Sequence, residues 1–416
     1  MSKIEVNTIE PQCGTTLTLG ANNDTVVLGT GAAFSGGIGA VKWETTPQTA
    51  SFGGVSGRGY FINSGSPLTL TLPTGTAGAI IAVSDYARNF ATHNFTVTPA
   101  GSQKIGGTAA SAKLNVDGQA STFVYVDDTK GWINVQNAED TEAGASFVAA
   151  TGGTVTTVCT NFKVHTFTGP GTFCVSSTGN AAGSNTIDYL VIAGGGGGGD
   201  GAGSSTNAGG GGGAGGYRES SGTASGSYTV SPLGSGVSAL PVAATGYPVT
   251  IGAGGTSGVS GSNTVFTGTT TITSAGGGNG NNGGGSPGTG SAGGSGGGAN
   301  TNPGPGAAGN TPPVSPPQGN PGGSGLGCTS GGGGGATAAG GDAAPGSGGS
   351  GGTGATSSIN GTPTARATGG DGGPTSGPAG TPQTANTGNG GPRGGAPGNS
   401  GGTGGSGIVI IRYKFQ

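Results

Sequence analysis

Apolar and polar residues alternate in short runs along the first two thirds of the chain, and glycine, proline or asparagine separates the runs. A period of two predicts β-strands with one buried face. Between residues 41 and 135, no stretch repeats its apolar residues at the spacing of a helix. The pattern therefore predicts an all-β fold.

Three short alternating runs lie in residues 1–34, separated by Gly14, Gly20 and Gly29. Three strands of this size cannot bury a face alone, so we expect them to intertwine with copies from other subunits. Residues 1–40 are thus predicted to be a docking and oligomerisation element with a linker; a poorly ordered arm is the alternative. The apolar positions assigned to this role are Ile4, Val6, Ile9, Leu17, Leu19, Val26 and Leu28.

Residues 41–146 are predicted to form a β-sandwich or jelly-roll domain that ends in an acidic hinge at 137–146. Short strands spaced by turn residues are typical of that class. The eight predicted strands span residues 41–45, 59–63, 68–72, 79–85, 94–99, 112–116, 121–126 and 132–135. The predicted aromatic core is Trp43, Tyr60, Phe61, Phe123, Tyr125 and Trp132. Asp127 and Asp128 are interpreted as a hairpin turn.

Residues 147–275 are predicted to form a second β domain that glycine runs interrupt. Its predicted strands span residues 154–158, 163–167, 172–176, 187–193, 227–230, 249–251, 264–266 and 270–273. A hairpin between the second and third of these strands could bring Cys159 near Cys174; two reduced thiols are preferred over a disulfide. The apolar runs at 187–193 and 408–413 are predicted to share one sheet buried on both faces, with residues 408–416 returning to this domain.

Glycine accounts for 105 of the 416 residues, and residues 276–407 contain no aromatic residue. The large aliphatic residues of that tract are Val314, Leu326 and Ile359. A disordered linker would suit this composition. The chain nevertheless continues into an apolar strand, and proline and asparagine punctuate the tract as turns would. We therefore expect an ordered sheaf of polyproline-II-like helices, whose backbones pack closely where glycine removes the Cβ atom.

Charge and motifs argue against nucleic-acid binding, cofactor binding, metal binding and catalysis. A net charge of −3 with no basic block argues against nucleic-acid binding. Residues 191–199 look like a strand entering a dinucleotide loop, but no helical pattern follows, so no cofactor is expected. His93 and His165 are interpreted as structural, and the cysteine spacing predicts no metal site. We expect no enzymatic activity.

No apolar run reaches the length of a membrane span, and the first residues lack a signal-peptide pattern. Assembly in a cytoplasm is therefore expected.

Three parts of the chain resemble tail fibre proteins of marine bacteriophages, especially those that infect cyanobacteria. Residues 1–20 (MSKIEVNTIEPQCGTTLTLG) resemble the start of such fibres, and residues 42–47, 59–63 and 125–132 look like the β domain that follows. The tract that runs from 188–218 to 407–413 is similar to glycine-rich domains at fibre tips.

This resemblance implies a trimeric virion tail component that is assembled in the host cytoplasm. Its N-terminus would join other tail proteins, and its tip would meet a host surface polysaccharide or outer-membrane protein. In some such adhesins, loops at one end of a polyproline-II sandwich contact the receptor, and those loops are often aromatic-rich. Because residues 276–407 have no aromatics, a purely structural fibre spacer is kept as the alternative. Ice binding and polysaccharide cleavage are weaker hypotheses, since the N-terminal resemblance opposes the first and no carboxylate pair supports the second.

A proline-rich stretch between residues 300 and 321 is the predicted receptor contact. Rigid prolines reduce the entropy that is lost on binding, and Val314 is a rare apolar side chain there. A plain turn without a partner is the alternative. The assigned residues are Asn300, Asn302, Pro303, Pro312, Pro313, Val314, Pro316 and Pro317.

Overall fold

A computed structural model of the protein describes residues 41–136, 146–180, 183–203, 207–226, 228–284, 288–300 and 304–416. In this part of the chain, regular secondary structure consists of strands and a short 3-10 helix at Pro232–Gly234. The predicted all-β fold is confirmed. The predicted docking strands with their seven apolar residues, the linker and most of the hinge lie outside the described residues.

Residues 41–136 form two sheets around one core, ordered β1-β3-β5-β8-β9 and β2-β4-β6-β7. The first six strands alternate between the two sheets and pair in parallel within each sheet. The chain therefore winds as a short solenoid before β7 to β9 add antiparallel pairs, which differs from the antiparallel order of a jelly roll. The strands are β1 Lys42–Gln48, β2 Phe52–Gly53, β3 Arg58–Ile62, β4 Leu68–Thr71, β5 Ile80–Asp85, β6 Phe95–Thr98, β7 Ala112–Leu114, β8 Ala120–Asp127 and β9 Gly131–Asn134.

The core of this region contains four of the six predicted aromatic residues: Tyr60, Phe123, Tyr125 and Trp132. Placing Trp43 and Phe61 in that core was wrong. Successive side chains of a strand point to opposite faces, so the inward positions of Tyr60 and Ile62 in β3 direct Phe61 outward. Trp43 stacks on Phe61 at a ring-centroid distance of 4.8 Å, on the outer face.

The turn between β8 and β9 is the predicted one. The carboxylate oxygen Oδ1 of Asp127 accepts hydrogen bonds from the backbone N–H groups of Thr129 and Lys130, both at 2.8 Å. An aspartate that binds the backbone two and three residues ahead is a common turn device, so Asp127 is explained by local structure. Asp128 accepts a hydrogen bond from the hydroxyl of Tyr125 in β8.

Residues 146–416 contain two further sheets, ordered β10-β13-β17-β18-β19 and β11-β12-β22-β14-β15, with β16 beside β14 and a separate β20–β21 hairpin. The strands are β10 Ala149–Thr151, β11 Thr154–Val158, β12 Phe162–Phe167, β13 Gly171–Ser177, β14 Thr186–Ile192, β15 Tyr217–Glu219, β16 Leu240–Pro241, β17 Gly246–Thr250, β18 Thr264–Thr267, β19 Thr271–Ser274, β20 Ala355–Ser357, β21 Thr364–Arg366 and β22 Ile408–Lys414.

Two local predictions for this region are wrong. The strands β12 and β13 form no hairpin, because β12 pairs with β11 and β22 while β13 pairs with β10 and β17 in the other sheet. Cys159 and Cys174 are accordingly free, exposed thiols. The strand predicted at 227–230 does not form over residues 228–230, where the backbone is irregular.

The two apolar runs do share one sheet, as predicted. Strands β14 and β22 are antiparallel neighbours, with Leu190 opposite Ile410 and Val191 opposite Val409. One face of this pair packs on the aromatic residues of the other sheet, including Phe173 and Phe266. The other face packs against alanines and Ile359 from the glycine-rich part. This sheet is therefore buried on both sides.

The glycine segments between residues 193 and 407 are joined by backbone hydrogen bonds; we call them the glycine bundle. Residues 194–199 illustrate its order. Their N–H groups donate in turn to three neighbouring segments: the first and fourth to Ser262 and Val259, the second and fifth to Gly405 and Gly402, the third and sixth to Gly213 and Gly210. All six carbonyls of this run also accept a backbone hydrogen bond. The register thus repeats every three residues.

Close backbone packing explains why these positions are glycine. A Cβ atom added at Gly195 or Gly198 would lie closer than 3.0 Å to the backbone carbonyl of Asn389 or Pro392. Neither glycine has a positive φ, so conformational freedom is not what selects it. Glycine is required because the backbone of a neighbouring segment leaves no room for a side chain.

The glycine bundle has two ends. At the sheet end, the N–H of Ala193 donates to the carbonyl of Gly216, and the N–H of Gly216 donates to the carbonyl of Ala275. Ala193 directly follows β14, Gly216 directly precedes β15, and Ala275 directly follows β19. At the far end, a chain of bonds links Gly199 to Gly210 and on to Asn281. Most segments run from one end to the other, so the far end is made of the turns between them.

Candidate functional site

The residues assigned to receptor binding lie at opposite ends of the glycine bundle. Asn300 is at the far end and is 1% exposed, and its amide closes a turn by accepting from the N–H of Gly288 and donating to the carbonyl of Asn282. Asn302 and Pro303 lie outside the described residues. Asn300 therefore organises the far end from within and does not present a side chain to a partner.

The prolines of the assigned set lie at the sheet end. Directly after them, the carbonyl of Gln318 accepts a hydrogen bond from the N–H of Tyr217, the first residue of β15, at 2.8 Å. The side chain of Asn310 accepts from the N–H groups of Val314 and Gln318, which closes the loop, and Val314 is half-buried. The structure thus separates Pro312, Pro313, Pro316 and Pro317 from Asn300 and does not gather one site from them.

Three adjacent turns at the far end form a pocket of about 560 Å³. We call them the distal turns: residues 326–329, 344–347 and 374–376. Two of them are closed by antiparallel bridges, between Leu326 and Thr329 and between Ala344 and Ser347. The pocket is lined by Leu326, Gly327, Cys328, Thr329, Pro345, Gly346, Pro374, Thr375 and Ser376.

Side-chain hydroxyl groups fasten the distal turns to one another. The hydroxyl of Thr329 lies 2.6 Å from the carbonyl oxygen of Leu326 and 3.1 Å from that of Ala344, so its proton is shared between two turns. The hydroxyl of Thr375 donates to the carbonyl of Cys328 at 3.2 Å. Each of the three turns is therefore held to a neighbour by a hydrogen bond from a threonine.

The residues immediately below the distal turns are also fixed. Ser330 donates through its N–H and its hydroxyl to the carbonyl of Gly373 and accepts from the N–H of the same residue. This buried serine locks the stem of the first turn to the stem of the third. The pocket consequently rests on the hydrogen-bonded bundle and not on a side-chain core.

Charged groups stand beside the pocket and are not part of its lining. The guanidinium of Arg393 lies under the loop that carries Pro374, where a Cβ atom on Gly373 or Gly377 would collide with it. Burial lowers the pKa of Arg393. The carboxylates of Asp342 and Asp371 accept from the N–H groups of Ser324 and Gly351, so each ties two segments together.

A second cluster of titratable groups lies at the sheet end. The Glu219 carboxylate accepts hydrogen bonds from the Tyr217 hydroxyl at 2.9 Å, the Ser231 N–H at 3.0 Å and the Ser357 hydroxyl. Burial raises the pKa of Glu219 and lowers that of the neighbouring Arg366. Because Glu219 is 1% exposed and its partners belong to the protein, this cluster joins β15 to the β20–β21 hairpin.

His165 is a buried residue with a structural role. His165 is buried between Gly152 and Tyr413 within the second pair of sheets. No group of three or more His, Cys, Asp and Glu residues is placed to hold a metal ion in that part of the chain. The same part contains no helix that is long and apolar enough to cross a membrane.

Sequence reasoning missed the pocket, although one signal pointed to it. Of the three large aliphatic residues in the tract, Ile359 is fully buried against the sheet and Val314 is half-buried, whereas Leu326 is 39% exposed in the pocket. An apolar side chain without a core to join was therefore a usable marker. Cys328 of the same turn also lines the pocket and is an exposed, free thiol.

A family model described as a glycine-rich domain matches residues 166–414, more than half of the chain. The chain belongs to this family. The matched glycine-rich domain begins in β12 and ends with the last residue of β22, and these two strands are antiparallel neighbours. The glycine-rich domain thus comprises the bundle together with the sheet that closes it. A search of curated proteins finds no match.

Proposed function

We propose that the chain is a tail fibre protein of a bacteriophage, which attaches the virion to the surface of its host cell. The observation that carries this proposal is the far end of the glycine-rich domain. There, a set of short turns is presented by a support whose backbone groups are hydrogen-bonded to one another. Binding loops on a rigid scaffold are a recurrent arrangement in recognition proteins.

The support is suited to this role because it does not depend on the turns. The hydrogen bonds of the bundle lie between segments, so the side chains of the connecting turns are free to differ without loss of a core. We infer that the segments are polyproline-II-like helices, because such a helix has three residues per turn and the hydrogen-bond register of residues 194–199 repeats every three residues.

The assignment to a phage tail rests on the resemblance of residues 1–20 and of the β region after them to marine phage fibres. On this proposal, residues 1–34 hold a homotrimer and dock it to other tail proteins, and the far end meets a host surface polysaccharide or outer-membrane protein. The protein would act without a cofactor, without catalysis and without nucleic acid.

Two measurements on virions that carry this chain test the proposal. Gold-labelled antibodies raised against the purified protein should decorate the tail in electron micrographs. Excess purified protein should then compete with the virions for adsorption to their host cells. Absence of the label from the tail would sink the proposal.

A purely structural fibre spacer is the second candidate. It is favoured by the lack of aromatic residues in 276–407, since aromatic side chains dominate the energetics of many protein interfaces. A labelled tail together with no competition for adsorption would favour the spacer. Light scattering would check the trimer in either case, and a monomeric full-length protein would contradict it.

A further inference from the structure

We propose that the pocket of the distal turns binds a neutral saccharide unit. This inference rests on the proposed function, because it names the class of receptor that the far end would recognise. It concerns one pocket of the far end, whereas the attachment function could be carried by other turns.

The chemistry of the lining points away from ions. None of the nine residues that line the pocket carries a charge or an aromatic ring. The guanidinium of Arg393 lies against Gly373 and Gly377, is partly buried and is not part of the lining. An acidic or basic ligand would therefore lose water without gaining an opposite charge, which is unfavourable.

The lining instead combines the two surfaces that a sugar ring presents. Leu326, Pro345 and Pro374 offer apolar surface to the C–H groups of a pyranose face. The partly exposed Thr375 uses its hydroxyl proton on the carbonyl of Cys328, which leaves lone pairs on its oxygen atom as acceptors for sugar hydroxyls. The cavity of about 560 Å³ is in the range of small-molecule sites.

The pocket is also set before a ligand arrives. Bridges close two of the turns, threonine hydroxyls join all three, and Pro345 and Pro374 restrict the backbone of the second and third turns. Sugars bind with small enthalpic gains per contact, so a site that loses little entropy on binding has an advantage. A loop of an outer-membrane protein fits less well, because the pocket lacks the Trp, Tyr and Arg anchors typical of protein interfaces.

The test uses the full-length protein and a defined set of probes. Saturation-transfer NMR would be recorded with neutral hexoses and their disaccharides, and with glucuronic acid as the charged comparison. We expect signals from at least one neutral sugar and none from glucuronic acid. A preference for the acid, or no neutral sugar bound, would overturn the proposal.

A matched pair of variants locates the site. Leu326→Asp replaces the apolar residue of the pocket, and Val259→Asp makes the same change at another exposed apolar residue of a far-end turn, 52% exposed and outside the pocket. Affinity for the neutral sugar should fall at least tenfold in the first variant and stay unchanged in the second. Equal affinity in both variants would place the sugar elsewhere and overturn the assignment.

Failure of this inference is distinguishable from failure of the proposed function. Wild-type protein that competes with virions for adsorption but binds no neutral sugar retains the attachment role and removes the saccharide pocket. If added outer-membrane protein abolishes the competition between purified protein and virions, and added sugar does not, the receptor is a protein. Protein that neither labels the tail nor competes removes the attachment role itself.

Discussion

The β region at 41–136 and the glycine bundle satisfy the same physical requirement by opposite means. The first surrounds its core with buried aromatic and aliphatic side chains, Trp132 and Phe123 among them. The second removes side chains altogether and joins backbone to backbone, as the fully paired run 194–199 illustrates. A folded chain must both exclude water and satisfy its buried N–H and C=O groups. The contrast teaches that either demand can dominate the design of a region.

The largest expected effect would test the aromatic side of this comparison. Trp132→Ala should lower the free energy of unfolding of residues 41–136 by about 3–5 kcal/mol, because it empties a large space in a closed core. Urea unfolding followed by circular dichroism measures the change. Trp43→Ala is the matched control: this residue is 39% exposed and mainly stacks on Phe61, so a loss of about 1 kcal/mol is expected. Equal losses would contradict the assignment of the core.

The next effect tests the glycine bundle. Gly198→Ala should destabilise the glycine-rich domain by about 3 kcal/mol, the upper end for added core volume, because the new Cβ meets backbone that cannot rotate away. Hydrogen exchange of residues 194–199 should become faster.

Gly203→Ala is the control within the same bundle, since nothing lies within 4 Å of a Cβ built there and its φ is not positive. That change should be neutral or stabilising by up to about 1 kcal/mol. Similar losses in the two variants would contradict the assignment of Gly198 to close backbone packing.

A smaller effect compares the two faces of one strand. Ile411 of β22 faces the aromatic residues, and Ile410 faces the glycine bundle. Replacing either by valine should lower stability by about 0.5–1.5 kcal/mol. The loss should be larger for Ile410→Val, because an interlocked backbone relaxes less around a lost methyl group than side chains do. A larger loss for Ile411→Val would mean that the bundle adapts more readily than its hydrogen bonding implies.

The smallest effect is a pH dependence confined to the side-chain-packed sheets. Burial lowers the pKa of His165 below its ordinary value of 6.5. Its Nδ1–H donates to the carbonyl of Gly152, and its Nε2 accepts from the hydroxyl of Tyr413. The associated stability is present above pH 6.5 and is lost as the pH falls through the lowered pKa.

Urea unfolding at several pH values checks this expectation. His165→Gln should flatten the decline on the acidic side, whereas His93→Gln, a change in residues 41–136, should leave it in place. An unchanged decline in the His165 variant would assign it to other groups.

The sequence predicted the features that depend on the local pattern of apolar residues, and it did not predict those that depend on contacts between distant parts of the chain. Alternation located most strands, and the apolar run of β22 indicated a sheet buried on both faces. Parallel winding of β1 to β6 escaped prediction, because pairing partners leave no mark on alternation. The pocket escaped for a similar reason: Leu326, Pro345 and Pro374 are far apart in the chain, and only the register of the bundle brings their turns together. The proline-rich stretch looked like one site, yet Asn300 and Pro312 lie at opposite ends of that bundle.

The position of β22 has a consequence for the order of folding. This strand lies between β12 and β14, and its Tyr413 contacts His165, 248 residues earlier in the chain. A ribosome that has released β14 has made both flanks of this sheet but not the strand that lies between them, so the base of the bundle stays incomplete until residues 408–414 are made. Contacts so distant in sequence form slowly. A chain that ends anywhere in the glycine tract lacks β22. It would therefore expose apolar surface to chaperones and proteases, so only complete chains reach the folded state.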